Sequence, residues 1–426
     1  MARDPFRALW LGQTVSALGT QVSMVALPLI AVLTLHVGPL ELGVLAALET
    51  IPYLLLSLPA GAVVDRVDHR ATMIACDLGR AGALLVTTAA MFLGVLSIGL
   101  LCVVALVVGA LSVFFTVAYT SYLAAILPPE RLVGGNQRLE LSESAARVAG
   151  PGIGGAILEF AGGAMATALD GVSYLVSAIA ILATGRSAAS DRPAPDQAGI
   201  VGSIGTGLRY VMNDRILRDL AGSTAVFNLG SGMILAVVVL FATRDVGLDA
   251  AGFGLVYGLG NIGFVVGATL VGALTTRFGV GRTFAWSSFA SAGAMALVAL
   301  AGSGTAVAFL VAGRFLGAVA TPIYNVDALS LRQARVSRAV MGRVNGTFEF
   351  LEWGALPVGS IVGGLLAAGL GARAALVAAA ACGFASTVWI ATSPARRLTS
   401  LTADGLALDP GPTDARDPSL RPPLVA

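Results

Sequence analysis

The chain has 426 residues, of which 56% are hydrophobic and only 12% charged, with a formal net charge of +2. Soluble domains carry about 25% charged residues, so this much apolar surface has no place in a water-soluble fold, and so weak a net charge gives no footprint for a nucleic acid. Every basic residue is arginine; without lysine there is neither a Walker A loop for a nucleotide nor a Schiff-base amine.

Apolar stretches of about twenty residues, long enough to cross a bilayer as helices, follow one another along the chain. They are predicted near 8–34, 42–64, 71–96, 98–125, 139–161 and 165–185, and again near 217–243, 252–275, 283–301, 305–330, 341–369 and 372–392. The start runs into the first span directly after Arg3 and Arg7 and reads as an uncleaved segment. Between the two sets lies a loop, 186–216, that begins Ser/Ala/Pro-rich. It ends in an amphipathic run (Ile200, Ile204, Leu208, Val211) that reads as a short helix on the inner membrane surface. The tail 394–426 is Pro/Asp/Arg-rich and reads as disordered.

Arginine recurs in every second loop: at Arg66 and Arg70, Arg131, Arg186 to Arg215, Arg277 and Arg282, Arg332 to Arg338, and Arg396 with Arg397. The opposite loops hold only Arg244 and Arg373. Positive charge marks the cytoplasmic side, which puts both termini and the central loop there and the chain in the plasma membrane as a multi-pass protein. The division predicts a first six-helix bundle over 1–185, the linker 186–216, a second bundle over 217–393 and the tail 394–426.

The halves repeat. Residues 43–66 align without gaps on 254–277, matching Gly43 with Gly254, Gly61 with Gly272 and Arg66 with Arg277. From Asn136, acids follow at Glu140 and Glu143 and a Gly-Gly pair at Gly154–Gly155; from Asn345 the same offsets give Glu349, Glu352 and Gly363–Gly364. Duplicated six-span halves are the pattern of a rocking transporter with substrate bound between them near the midplane. The fold class read from this is all-α and integral to the membrane, with twelve helices in two pseudo-symmetric bundles.

Three stretches carry a family resemblance. Gly61 to Arg70, with Asp65 and Arg66 at its centre, is similar to the G-x-x-x-D-R-x-x-R-R loop of the major facilitator superfamily. Gly150-Pro151-Gly152-Ile153-Gly154-Gly155 resembles that superfamily's antiporter motif, and residues 207–221 resemble its macrolide-efflux and enterobactin-exporter branch. The resemblance implies the two-bundle fold, an exporter, and a proton gradient as the driving force. It also departs from the pattern: Thr276 stands where the first half has Asp65, and Ala110 aligns with Arg314, so the fourth span lacks the arginine of many drug antiporters.

The residues then sort by chemistry. Gly61, Asp65, Arg66, Arg70 and Asp77 read as a cytoplasmic latch in which the loop arginines pair with acids such as Asp77. Small residues let helices approach and proline permits a bend, so Gly150, Pro151, Gly154 and Gly155 read as a gating bend or as ordinary packing. Ionisable side chains deep in a span are costly and face a cavity or a partner; Glu49, Arg314 and Asp327 are candidates for proton coupling or substrate binding. Arg314 calls for an anionic neighbour. Glu143 and Glu352, with Glu140 and Glu349, occupy early turns where negative charge suits a helix N-terminus; they stabilise the helices or attract a cation. Gln13, Ser16, Thr20 and Ser23 form a polar stripe that either lines a cavity or bonds a neighbouring helix. With Gln13 and Thr20, the residues Tyr53, Tyr119, Asn228, Tyr257 and Asn261 are the candidate cavity lining. Cys76, Cys102 and Cys382 form no CxxC pair, and His36 and His69 fall on opposite sides, so neither a metal nor an organic cofactor is expected. The expected partners are the lipid bilayer and a small-molecule substrate, with no nucleic acid and no nucleotide, and the expected working unit is a monomer. The function expected is export of a small amphipathic compound (antibiotic, siderophore or other secondary metabolite), or on the same scaffold lysophospholipid transport or uncoupled facilitation. No nucleophile–base pair supports an enzyme.

Overall fold

The computed structural model describes residues 5–64, 66–184, 208–302, 304–336, 341–394, 398–402 and 405–408. Twelve long helices carry the fold. In the first half they are α1 (Pro5–Leu33), α2 (Pro39–Val64), α3 (His69–Phe92), α4 (Ile98–Ile126), α5 (Pro129–Ala161) and α6 (Gly163–Ala183). In the second they are α7 (Arg215–Leu240, extended by a π-helical turn Phe241–Asp245), α8 (Ala250–Phe278), α9 (Val280–Leu300), α10 (Ala306–Arg335), α11 (Met341–Leu370) and α12 (Ala372–Thr392). Among the described residues eleven helices are long and apolar enough to cross a membrane on composition. The twelfth, α5, is not apolar enough to qualify alone and packs lengthwise against α1 and α8.

Local chemistry sets the helix ends. Asp68 accepts from the Ala71 N–H (2.8 Å) and caps α3, while Ser97, Asp214 and Asp249 cap α4, α7 and α8. Such caps satisfy backbone donors that a helix start leaves free. The α5–α6 and α11–α12 turns pivot on Gly162 (φ +82°) and Gly371 (φ +89°), left-handed positions that favour glycine. The α5 helix starts ten residues before the predicted span because its first turns are charged and need no lipid. Pro129 also suits a first helical turn.

Two expectations change. The tail is not wholly without structure: Leu398–Thr402 pairs antiparallel with Gly405–Leu408 beside α9 and α10. In the linker, residues 208–213 are helical, but Val211 is buried in the second-half core with Leu217 and Phe284 rather than free to lie on a membrane. Ile200 and Ile204 lie outside the described residues.

The two halves meet unevenly. The described chain ends and the arginine-rich loops share one face; at the opposite, far face, which carries only Arg244 and Arg373 among the described arginines of the loops, a single hydrophobic core draws on both halves, with Leu29, Ile30 and Leu45 packed into the same cluster as Val237, Phe241, Phe253 and Leu376. At the arginine-rich face the cores are separate. Met73, Phe115, Tyr122 and Ile181 form one in the first half, and Leu217, Phe284, Leu331 and Phe348 form another in the second. The molecule is therefore a wedge, closed at the far face and parted at the arginine-rich face.

Candidate functional site

The seam between the halves is made chiefly by two crossings, α5 on α8 and α2 on α11, with a smaller contact of α2 on α7. A methyl group added at Gly155 would overlap the Ala250 carbonyl oxygen and stand 3.0 Å from the Gly254 Cα. At the other crossing a methyl on Gly43 would lie 2.6 Å from the Ser360 carbonyl oxygen and 3.1 Å from the Gly364 Cα. Gly154 and Gly363 turn the other way, into their own halves, where an added methyl would lie 3.0 Å from the Val22 Cα and 2.7 Å from the Met233 Cα. Each Gly-Gly pair is thus flat on both sides: one glycine admits a helix of its own bundle, the next a helix of the opposite bundle. Gly150 abuts Gln21, and the Pro151 carbonyl is what a methyl on Gly254 would strike. Two polar bonds finish the far edge: Arg244 Nη2 donates to the Val37 carbonyl (2.7 Å), and the Ala250 N–H donates to Glu159 Oε2 (3.3 Å).

Nearer the arginine-rich face the seam ends in an apex with two flanks. On one, Asn261 Nδ2 donates to the Arg147 carbonyl across the halves, and Asn261 Oδ1 accepts from Arg314 Nε at 2.8 Å. The Arg314 guanidinium covers the rings of Tyr257 (4.8 Å) and Phe264 (5.7 Å), and Arg147 reaches Phe264 from the other half. Arg147 pairs with Glu143 one turn away and stands 3.9 Å from Glu140. On the other flank Tyr53 stacks on Trp353 across the seam, centroids 4.6 Å apart. Asn228 Nδ2 holds the Glu352 carbonyl at 3.1 Å, leaving the Glu352 carboxylate near Arg332. Beyond this level Leu55, Leu141 and Phe350 are exposed.

The predicted residues fall into three groups. Arg314, Glu143, Glu352, Tyr53, Asn228, Tyr257 and Asn261 converge on the apex. Arg314 meets a neutral amide and two rings rather than the acid expected, because cation–π contact substitutes for a counter-ion. Tyr119 lies below, stacked on Phe115 within reach of the Glu143 charge. Glu49 is half-buried on α2 near α4, where a methyl on Gly109 would touch its backbone, and among the described residues its carboxylate has no hydrogen-bond or ion-pair partner. Asp327 is fully buried away from the apex, accepting from Thr275 Oγ1 at 3.1 Å.

The latch and the polar stripe are rearranged. Asp77 does not pair with the loop arginines; it pairs with Arg80 one turn along α3, where both are buried. Arg70 donates to the Ile181 (3.1 Å) and Leu182 (2.7 Å) carbonyls, so it caps the C-terminus of α6. Arg66 is exposed, Gly61 has open space where a side chain would go, and Asp65 lies outside the described residues. In the stripe, Gln13 donates to Ser177 (2.8 Å) and Thr20 bonds the Tyr174 hydroxyl (3.0 Å), so its hydrogen bonds run to α6.

Sequence reasoning passed over Arg80, Asp170 and the Asp214–Arg335 pair. The signal for Asp170 was present: it is an acid inside an apolar span, like Glu49. Among the described residues no group of His, Cys, Asp and Glu side chains could hold a metal ion.

Comparison with known proteins bears on the family and the fold. Residues 1–413 match the family described as transmembrane secretion effector, within the major facilitator superfamily. The chain is 26% identical over 397 residues to the multidrug efflux pump Tap of Mycolicibacterium fortuitum, covering 88% of this chain and 92% of that one. It is 27% identical over 409 residues to the pump of the same name from Mycobacterium tuberculosis (strain ATCC 25618 / H37Rv), covering 89% and 90%. Among solved structures it resembles a nucleoside transporter NupG variant (TM-score 0.74, 14% identity, 91% of this chain and 99% of that one). It also resembles a bacterial homologue of the iron transporter ferroportin in the inward-facing state (TM-score 0.71, 17% identity, 91% and 98%).

Proposed function

The chain belongs to the transmembrane secretion effectors of the major facilitator superfamily, and from that premise we propose that it exports a small amphipathic compound by alternating access, driven by protons. The observation that carries this reading is the one-sided seam, with an aromatic and charged apex where it stops. With the arginine-rich face taken as cytoplasmic, the form described is open to the cytoplasm and sealed outside, the state in which an exporter collects its cargo. Tyr53, Trp353, Tyr257 and Phe264 offer apolar faces that tolerate many shapes. Arg314, Glu143 and Glu352 offer charges that orient a polar end. The relatives named as multidrug efflux pumps support an exporter of foreign or secondary compounds. Glu49, an acid at depth with no ion-pair partner, is our candidate for the coupled proton.

Inverted membrane vesicles energised by a pH gradient test this with a fluorescent amphipathic dye. Accumulation that an uncoupler collapses, and that Glu49→Gln abolishes without lowering the amount of protein in the membrane, is the expected result. Accumulation indifferent to the uncoupler turns the reading into uncoupled facilitation. Transport of a lysophospholipid with none of the dye replaces the cargo class.

A further inference from the structure

The most heavily buried charges of the first half lie not at the apex but inside the bundle. Asp77 is 0% exposed, Arg80 6% and Asp170 1%. The Arg80 guanidinium is sandwiched between the rings of Phe115 (4.2 Å) and Tyr174 (4.3 Å), touches Ser112 Oγ (3.4 Å) and pairs with Asp77. Asp170 Oδ1 accepts from Ser173 Oγ at 3.1 Å and lies within the field of Arg80. Space for this carboxyl is cut into α1: a methyl at Gly19 would come 2.6 Å from Asp170 Oδ1. Two polar atoms inside the cluster, Asp77 Oδ2 and Arg80 Nε, are sealed from solvent with no hydrogen-bond partner.

The groups that face the cluster complete its charge count. From α1 come Gly19, Ser23 beside Asp170, and Thr20, which is bonded to Tyr174; from α2 comes Tyr53 and from α3 the Cys76 thiol, both within electrostatic reach of Arg80; from α4 come Ser112 and Phe115; from α6 come Asp170, Ser173, Tyr174 and Ser177, the last beside Asp77. One cation, Arg80, therefore stands against two carboxyl groups: it pairs with Asp77, and Asp170 lies within its field. Ionising both would leave an uncompensated negative charge inside a membrane helix bundle, which is heavily disfavoured; one carboxyl ionised against Arg80 and the other protonated leaves the cluster neutral.

We propose that Asp77, Arg80 and Asp170 form a buried proton-binding site of the first half, separate from Glu49, that holds one proton between two carboxyl groups. Its link to the seam is Tyr53, which lies within electrostatic reach of Arg80 and stacks on Trp353 of the opposite half. Rocking the halves moves Trp353 relative to Tyr53 and so changes the field and the wetting at Arg80. The proton then leaves to water on whichever side the wedge is open and is replaced from the other. This role in transport rests on the proton-coupled reading above; the presence of the proton does not.

Infrared spectroscopy of the purified full chain at neutral pH reads the proton directly, through the carbonyl stretch of a protonated carboxylic acid. The wild type is expected to show that band. Asp170→Asn and Asp77→Asn should each diminish it, because the remaining acid ionises against Arg80, and Arg80→Gln should strengthen it, because both acids then protonate. No band in the wild type, or a band unchanged in both asparagine variants, overturns the proposal. Gradient-driven dye accumulation by the same preparations in vesicles separates the two readings. If the bands follow this pattern while wild-type transport ignores the gradient, the proton site stands and the coupled function falls. If transport is gradient-driven and the bands do not follow it, the site falls and the function stands.

Discussion

Gly155 of α5 lies against Gly254 of α8, and their repeat mates Gly364 and Gly43 lie against each other on the other side of the molecule. The backbone atoms in contact correspond too. Gly155 faces the Ala250 carbonyl as Gly364 faces that of Pro39, and Gly254 faces the Pro151 carbonyl as Gly43 faces that of Ser360. The far face is thus closed by one contact used twice. Side chains at these points would force the helices apart, since interiors are close-packed and yield little.

Gly155→Val, or Gly254→Val, is accordingly expected to open the far face. A single cysteine at Leu45, a residue of the far-face core, in a background lacking the three native cysteines, should be shielded from a membrane-impermeant thiol reagent in the parent. It should react in the valine variant. Equal labelling in both would mean that this seam does not set the state of the transporter.

Gly61 and Gly272 are also repeat mates, yet an added methyl at either meets nothing within 4 Å. Packing in this form gives no reason for glycine at both sites. Closure of the arginine-rich face does, if the α2 and α8 ends then meet a neighbour as closely as Gly43 and Gly254 do now. Gly61→Val combined with Gly272→Val should therefore leave the wedge locked open: membrane levels near the parent, binding of the dye retained, turnover lost. Normal turnover in the double variant would show that those ends never approach another helix.

Much of this architecture was legible in the chain. Eleven of the twelve long helices follow from hydropathy, because lipid forces each crossing to be apolar and helical; α5, the repeat, the Gly-Gly pairs and the acids before them follow from spacing. What spacing cannot supply is direction. The α1 stripe is polar at helical intervals whether it faces water or α6, and only packing shows Gln13 on Ser177. Asp77 sat near two loop arginines in sequence, but Arg80 lies one helical turn away on the same face, so the shorter partnership prevailed. Counting charges assigns Arg314 an acid because it omits the faces of aromatic rings, and a ring is what the guanidinium meets.

The Tyr53–Trp353 stack gives the apex a spectroscopic handle. It is a direct ring contact between the two halves at the candidate binding level, and such pairs contribute about 0.5–1.5 kcal/mol beyond their buried area. With Trp10, Trp286 and Trp389 replaced by phenylalanine, the remaining indole should change its emission when the dye is added. Tyr53→Leu should weaken dye binding roughly two- to tenfold, the size of one lost stacking contact. An indole blind to saturating dye would place the cargo elsewhere.

The last expectation concerns stability. Asp214 does two tasks with one carboxylate. Its Oδ1 accepts from the Ile216 and Leu217 N–H groups at the start of α7, at 2.9 and 3.0 Å, and its Oδ2 accepts from Arg335 Nε and Nη2 at 2.9 and 2.7 Å. Both side chains are only 3% exposed, so the pair is shielded from screening by salt, and it ties the end of α10 to the point where the linker enters the second half. Removing one partner of a buried pair strands the other charge, at a cost of about 3–5 kcal/mol. Asp214→Ala also deletes the helix cap, for about 1 kcal/mol more. Arg335→Met and Asp214→Ala should therefore both lower the thermal unfolding midpoint in detergent, Asp214→Ala further. Asp214→Asn combined with Arg335→Met should recover much of the loss, because asparagine still caps α7 and no charge is left unpaired. A double variant no more stable than Arg335→Met alone would mean that Arg335 acts through its packing against α7 and not through its charge.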